Sequence, residues 1–165
     1  MNAFVEKLYN NPSLVSYSCD IALHKEYLHE ISKDQDVVEL GVRCGFSSVC
    51  FLKGCKTLTS YDIDFIEEAQ TLKWECPKWK FNKESSLEVE IPNCDILFID
   101  TDHTYSQLLA ELTKHHSKSK KHIIMHDTYL DGMRKALNEF LDNHKEWKIV
   151  LDTPACNGLT TLGRA

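Results

Sequence analysis

The sequence predicts an α/β sandwich: a mostly parallel, seven-stranded sheet between helices, with an antiparallel last strand. Three observations predict it. Short apolar runs alternate with segments of helical periodicity, the pattern of strand–helix–strand units. The stretch Asp36 to Ser48, DVVELGVRCGFSS, joins an apolar strand to a helix start through Gly41 and Gly45. The last two apolar runs are joined only by the turn around Pro154 and Asn157-Gly158. That connection is too short for a parallel crossover, so the pair must be antiparallel.

In chain order, the first ~20 residues read as a polar, irregular lead-in or flap, with Pro12 and the Asn10-Asn11 pair as breakers. Ser18 or Asp20 is a candidate cap for a helix to about Ser32, with Ile21, Leu23, Tyr27, Leu28 and Ile31 on its apolar side. Val37 to Leu40 is the first strand. A helix from Phe46 to about Lys53 follows and stops near Gly54, a natural C-terminal glycine. Thr57 to Tyr61 is the second strand, and a helix is expected from about Phe65 to Trp74. Pro77 ends it, and Lys78 to Asn82 is a weak third strand.

Asp95 to Ile99 is a clear fourth strand, bounded by Pro92-Asn93 and Asp100. Tyr105, Leu108, Leu109 and Leu112 then recur at helical spacing, and His122 to Met125 is the fifth strand. Leu130, Met133, Leu137, Phe140 and Leu141 mark the next helix. Trp147 to Leu151 and Leu159 to Leu162 complete the sheet.

A length of 165 residues fits one domain spanning the chain. The formal charge of −6 leaves no basic stripe for a nucleic-acid partner. The basic cluster Lys114 to His122, KHHSKSKKH, reads as a solvated turn. The seven cysteines include no CxxC pair, so zinc ligation by thiols is not expected and the cysteines read as small core residues in a reducing cytoplasm. The opening MNAFVEKLYNNP carries no long apolar segment, so neither signal peptide nor membrane partner is expected.

Ligands of an open parallel sheet sit outside the carboxyl ends of its strands. The residues expected there are Glu39, Gly41 and Gly45 from the first strand and Asp62 and Asp64 from the second. The third contributes Glu84, Ser85 and Ser86, the fourth Asp100, Asp102 and His103, and the fifth His126 and Asp127. Asn157 of the last hairpin lies at the same edge. The glycine turn offers bare backbone N–H groups and close approach, but its spacing is GxxxG, not the GxGxxG of a dinucleotide site. A carboxylate at Asp62 is placed to accept from both hydroxyls of a ribose, so the two together favour an adenosyl ligand. Asp100, Asp102, His103, His126 and Asp127 bring oxygen and nitrogen donors from two strand ends to one point, a set suited to a divalent cation. The alternative is capping, with Asp102 or Thr104 starting one helix and Asp127 or Thr128 the next.

These motifs resemble the class I S-adenosylmethionine-dependent methyltransferases. VVELGVRCGFSS resembles the first motif of the catechol and caffeoyl-CoA O-methyltransferase group, which has ELG, a GxxxG-type turn and a serine two residues after the second glycine. YDID resembles the second motif, DILFIDTDHTY the fourth-strand motif and IIMHDT the fifth. The HD of IIMHDT is also similar to the cephalosporin-biosynthesis methyltransferase family. The resemblance covers roughly Val37 to Thr128.

It implies a Rossmann-like three-layer fold and S-adenosylmethionine as cofactor. Glu39 would contact the methionine part, with Gly41 and Gly45 forming the turn beside it and Ser47 near its carboxylate. Asp62 would hold the ribose, Ser85 or Ser86 would border the adenine, and Asp102 joins this cofactor side. Asp100 and Asp127, with His126, would ligate Mg²⁺ or another divalent cation. The expected reaction is methylation of a hydroxyl on a small molecule or sugar. Methyl transfer from a sulfonium is an in-line displacement, so alignment of donor and acceptor is the enzyme's main task.

The chain departs from the catechol-type pattern in two places. His126-Asp127 stands where that group has Asp-Asn, and His103 stands where it has a lysine base. With an unperturbed pKa of ~6.5, His103 is the candidate general base near neutral pH, the alternative being a buried structural imidazole bonded to backbone. The group's long N-terminal helical region is mostly missing, so the acceptor pocket is expected to be open or completed by a second subunit. Acceptor specificity is expected from the lead-in, from Cys76 to Asn82 and from Thr153 to Gly158, with Tyr9, Tyr17 and Trp79 as candidate lining aromatics.

Overall fold

A computed structural model describes residues 2–15, 20–64 and 76–165. The seven-stranded sheet has the order β3-β2-β1-β4-β5-β7-β6. Its strands are β1 (Asp36–Leu40), β2 (Thr57–Asp62), β3 (Trp79–Lys83), β4 (Cys94–Ile99), β5 (Ser119–His126), β6 (Trp147–Thr153) and β7 (Leu159–Arg164). β1 to β5 pair in parallel, and β7 is antiparallel to both β5 and β6. Order reverses between β1 and β4, so a crevice opens above their carboxyl ends.

Alternation along the central strands sorts side chains into two cores. Val37, Ile96, Phe98 and Ile124 face one side, where they pack with α1 (Ala3–Asn10), α2 (Lys25–Ile31) and α3 (Phe46–Gly54). Val38, Leu40, Leu97, Ile99, Ile123 and Met125 face the other, under α4 (Tyr105–His115) and α5 (Asp131–Asn143). The fold is the Rossmann-like three-layer sandwich that the sequence predicts.

Several elements differ in detail. Part of the lead-in is regular: Asn2 accepts hydrogen bonds from Phe4 N and Val5 N and starts α1, which buries Val5, Leu8 and Tyr9. Its apolar positions recur at i, i+3 and i+4, a short helical stripe. The helix expected to start at Ser18 or Asp20 opens as a 3₁₀ segment, Asp20–His24, before α2. Gly54 lies inside α3 and is not a left-handed cap. An added Cβ there would sit 2.9 Å from His29 Nδ1, so its role is clearance. The helix expected over Phe65 to Trp74 lies outside the described residues.

Other single-residue expectations also change. Tyr9 and Trp79 are buried and neither lines the cleft at the carboxyl ends of the strands, and the Trp79 indole donates to Ser60 Oγ at 2.8 Å. Tyr17 lies outside the described residues. The basic cluster is not wholly a solvated turn. His115 completes the buried stripe of α4, fully buried against the Ser86 carbonyl at 2.7 Å. Cys50, Cys55 and Cys94 are buried, as core residues should be. No helix among the described residues is long and apolar enough to cross a membrane.

Candidate active site

The β1–α3 turn is built on positive φ. Gly41 stands at +85° and Gly45 at +82°, the left-handed region open to glycine. Gly41 N donates to Tyr61 O at 2.9 Å and Asp100 N to Leu40 O at 2.9 Å, which seat the turn between β2 and β4. An added Cβ on Gly41 would overlap the Asp100 carbonyl and lie 2.6 Å from its carbon. No side chain caps α3 at Gly45. Its first turn is therefore a natural place for an anion such as an amino-acid carboxylate.

Asp62 ends β2 and locks this turn. Its Oδ2 accepts from Val42 N at 2.7 Å and Arg43 N at 3.0 Å, and its Oδ1 from Asp64 N at 3.0 Å. A carboxylate offers about four acceptor positions, so capacity remains for one ribose hydroxyl rather than both while the turn keeps this form. The cleft beside it encloses about 540 Å³ and is lined by Gly41, Tyr61, Asp62, Ser85, Ser86, Asp100, Asp102 and His103 among others. That volume is in the range of small-molecule sites.

At one end of the cleft two carboxylates and two imidazoles converge. His103 Nε2 lies 2.9 Å from Asp127 Oδ2 and 3.4 Å from Asp100 Oδ1. His126 Nδ1 lies 3.0 Å from Asp127 Oδ2 and 3.5 Å from Asp100 Oδ1. Asp127 is buried and adopts φ +56°, a strained value for a residue with a Cβ. Hydrogen bonds to Asp100 and Asp127 raise His103 to about 10, against a smaller opposing effect of burial. Burial pushes His126 down, but the same carboxylates outweigh it and raise it to about 9. Burial likewise opposes ionisation of both aspartates, yet the imidazoles hold both below the usual carboxylate range.

In this arrangement the two carboxylates therefore favour the protonated form of His103. Among the described residues, the buried His126 Nε2 has no hydrogen-bond partner, and its ring meets His24 edge-on at 5.7 Å between centroids.

A family model described as "Methyltransferase domain" matches residues 38–128. The chain belongs to this methyltransferase family. Its fold is that of the class I methyltransferases. No curated relative matches it. Among solved structures it is similar to the Burkholderia thailandensis 1,6-didemethyltoxoflavin-N1-methyltransferase with bound S-adenosylhomocysteine, with a TM-score of 0.69 at 14% identity, covering 99% of this chain and 86% of that one. It is similar to an O-methyltransferase from Bacillus cereus in complex with SAH, with a TM-score of 0.68 at 13% identity over 99% and 90% of the two chains. Cofactor-bound Rv0187 from MTB gives a TM-score of 0.73 at 14% identity over 98% and 88%.

In this methyltransferase, Gly41, Asp62, Ser85, Ser86, Asp100, Asp102, His103, His126 and Asp127 all line one cleft. Glu39 and Ser47 do not. Glu39 shares the Val37 face of β1, so alternation turns it beneath α3. There its carboxylate is fully buried and accepts from Ser47 Oγ at 2.6 Å, Ser48 Oγ at 2.7 Å and Ser60 Oγ at 2.5 Å. Glu39 thus braces the turn from below instead of facing the methionine part, and it occupies the Ser47 hydroxyl. Gly45 belongs to the turn but not to the cleft wall. Asn157 is used through its backbone, its carbonyl accepting from Tyr129 N at 2.7 Å. Thr104 caps α4, whereas the N-cap position of α5 is Leu130, which supplies no side-chain cap, so neither Asp127 nor Thr128 serves that role.

The sequence reading missed Glu111. It is fully buried and accepts from Ser86 Oγ at 2.5 Å, Thr101 Oγ1 at 2.8 Å and Gln107 Nε2 at 2.8 Å, tying α4 to the cleft floor. Its position between Leu108 and Leu112, on the buried stripe of the helix, was the available signal.

Burial pushes the Glu39 carboxyl from 4.5 up to about 7, against the lowering effect of its hydroxyl donors. The folded protein thus holds this proton more tightly than the unfolded chain. Its stabilising effect is present below pH 4.5 and is lost as pH rises through about 7. Urea unfolding at pH 5 and pH 7.5 is expected to show wild type losing about 2 kcal/mol more than Glu39→Gln between the two. Parallel pH profiles would contradict this.

Proposed function

We propose that this methyltransferase methylates a hydroxyl of a small molecule or sugar, with a divalent cation held by Asp100 and Asp127 and His103 beside it. The observation that carries the proposal is the convergence of these donors at the cleft edge. Ligand atoms of Asp100, His103 and Asp127 lie within 4.8 Å of one another, and Asp20, His126 and Asp127 form an overlapping set. Oxygen-rich donors with one imidazole fit Mg²⁺ or Mn²⁺. When bound, such a cation lowers the pKa of an acceptor hydroxyl.

The chain's own residues do the rest. Gly41 and the open start of α3 suit the amino-acid end of S-adenosylmethionine, Asp62 a ribose hydroxyl, and Ser85, Ser86 and Asp102 border the remainder. Asp100 and Asp127 orient the acceptor side. His103 is 40% exposed at its side chain and stands at the rim. Its hold on a proton weakens once the two carboxylates are engaged elsewhere, which fits it to take the acceptor's proton.

A second reading is a metal-independent enzyme. It is favoured by the ion pairs within the cluster: His103 and His126 each reach both Asp100 and Asp127, so these carboxylates already have partners from the chain itself. Methyl transfer to a panel of hydroxylated compounds, measured with and without chelator, separates the two. Chelation and Asp127→Asn are each expected to lower turnover by at least about 100-fold. Turnover unchanged by both would refute the cation and leave the second reading.

A further inference from the structure

We propose that His116, His144 and Glu146 form a second, independent cation site, and that it takes Zn²⁺. The three come from separate segments: His116 follows α4, His144 caps the end of α5, and Glu146 directly precedes β6. β6 is antiparallel to β7, which is antiparallel to β5, so β6 runs with the parallel strands. Its start therefore lies at the edge of the sheet opposite the methyl-transfer cleft. None of the three residues lines that cleft.

The spacing is the main observation. Nδ1 of His116 lies 3.7 Å from Glu146 Oε1, and Nδ1 of His144 lies 3.5 Å from the same oxygen. These separations exceed the roughly 2.7–3.2 Å of an N–H···O hydrogen bond. Tetrahedral ligands about 2.0–2.1 Å from Zn²⁺ are about 3.3–3.4 Å apart, close to what is observed. The three ligand atoms lie within 4.8 Å of one another.

Two further observations support a ligand. Among the described residues, His116 Nδ1 is buried and has no hydrogen-bond partner. Such a nitrogen gives up hydration for nothing unless something coordinates it. The two imidazoles are also held in place: both rings pack on Phe140, at 5.4 Å for His116 and 4.4 Å for His144, and they lie 4.2 Å from each other. Pre-set rings reduce the ordering that binding requires. Two imidazoles and one carboxylate suit Zn²⁺ better than Mg²⁺ or Ca²⁺, which prefer all-oxygen shells. Side-chain exposures of 17%, 25% and 41% leave room for water in the fourth position. The ion would clip the ends of α4 and α5 to the start of β6, stabilising the fold without touching the chemistry.

Zn²⁺ titration by calorimetry, with thermal unfolding on the same samples, tests this on the intact chain. Four proteins are compared: wild type, His144→Gln, Glu146→Gln and Asp127→Asn. The expected result includes a Zn²⁺ event that Asp127→Asn retains and that each of the other two variants weakens at least about 10–100-fold, distinct from any cleft event that Asp127→Asn removes. Tm should rise by about 5–10 °C for wild type and Asp127→Asn at Zn²⁺ near a hundredfold Kd, and not for His144→Gln or Glu146→Gln. His144 and Glu146 are at the surface, and S-adenosylhomocysteine binding should survive in both variants, which reports that they fold. Zn²⁺ binding unchanged in His144→Gln and Glu146→Gln overturns the site. So does a single event lost only in Asp127→Asn, because that ion belongs to the cleft.

Discussion

Gly41→Ala is expected to destabilise the protein by about 2–5 kcal/mol and to remove measurable binding of S-adenosylhomocysteine. Two effects add. A residue with a Cβ held at φ +85° sits in a left-handed conformation that costs about 1–2 kcal/mol. The new Cβ also meets backbone, not a flexible side chain, because it overlaps the Asp100 carbonyl. Relief requires β1 and β4 to separate at their carboxyl ends, and that is where the cleft opens. Urea unfolding measures the first effect and calorimetry the second. Wild-type stability and affinity in the Gly41→Ala variant would show that the turn tolerates a side chain and does not shape the cleft.

Asp62→Ala is expected to lower S-adenosylhomocysteine affinity by about 10²–10⁴-fold while costing only about 1–3 kcal/mol of stability. The carboxylate has two tasks. It holds Val42 N and Arg43 N, which fixes the turn, and it keeps acceptor capacity for a ligand hydroxyl. Alanine removes both. Asn can replace one oxygen, so Asp62→Asn should fall between wild type and alanine. In steady-state kinetics, KM for S-adenosylmethionine should carry most of the defect. A fall in kcat with KM unchanged would instead place Asp62 on the acceptor side.

Much of this was readable from residue spacing. Strand–helix alternation and the short last connection carried the sheet, and Gly41 and Gly45 both take the positive φ that their positions suggested. Asp62, Asp100 and Asp127 reach the cleft because each stands at or just past a strand's carboxyl end. Glu39 was misread for want of one step. Strand alternation puts it on the Val37 face, opposite Ser60 in register, and so under α3 rather than in the cleft. The raised pKa of His103 was only half readable along the chain: Asp100, three residues earlier, is its first cause, whereas Asp127 reaches it, at 2.9 Å, only through the pairing of β4 with β5. The Zn²⁺ candidate was hidden for the same reason: His116, His144 and Glu146 meet only after α4 and α5 pack together.

The most direct test of the cofactor assignment is calorimetric titration of the intact wild-type protein with S-adenosylhomocysteine, with Asp62→Ala alongside. The expected result is saturable one-to-one binding by wild type and strongly weakened binding by Asp62→Ala. Absence of binding by folded wild-type protein, or equal binding by both proteins, contradicts the assignment of this cleft as the methyl-donor site.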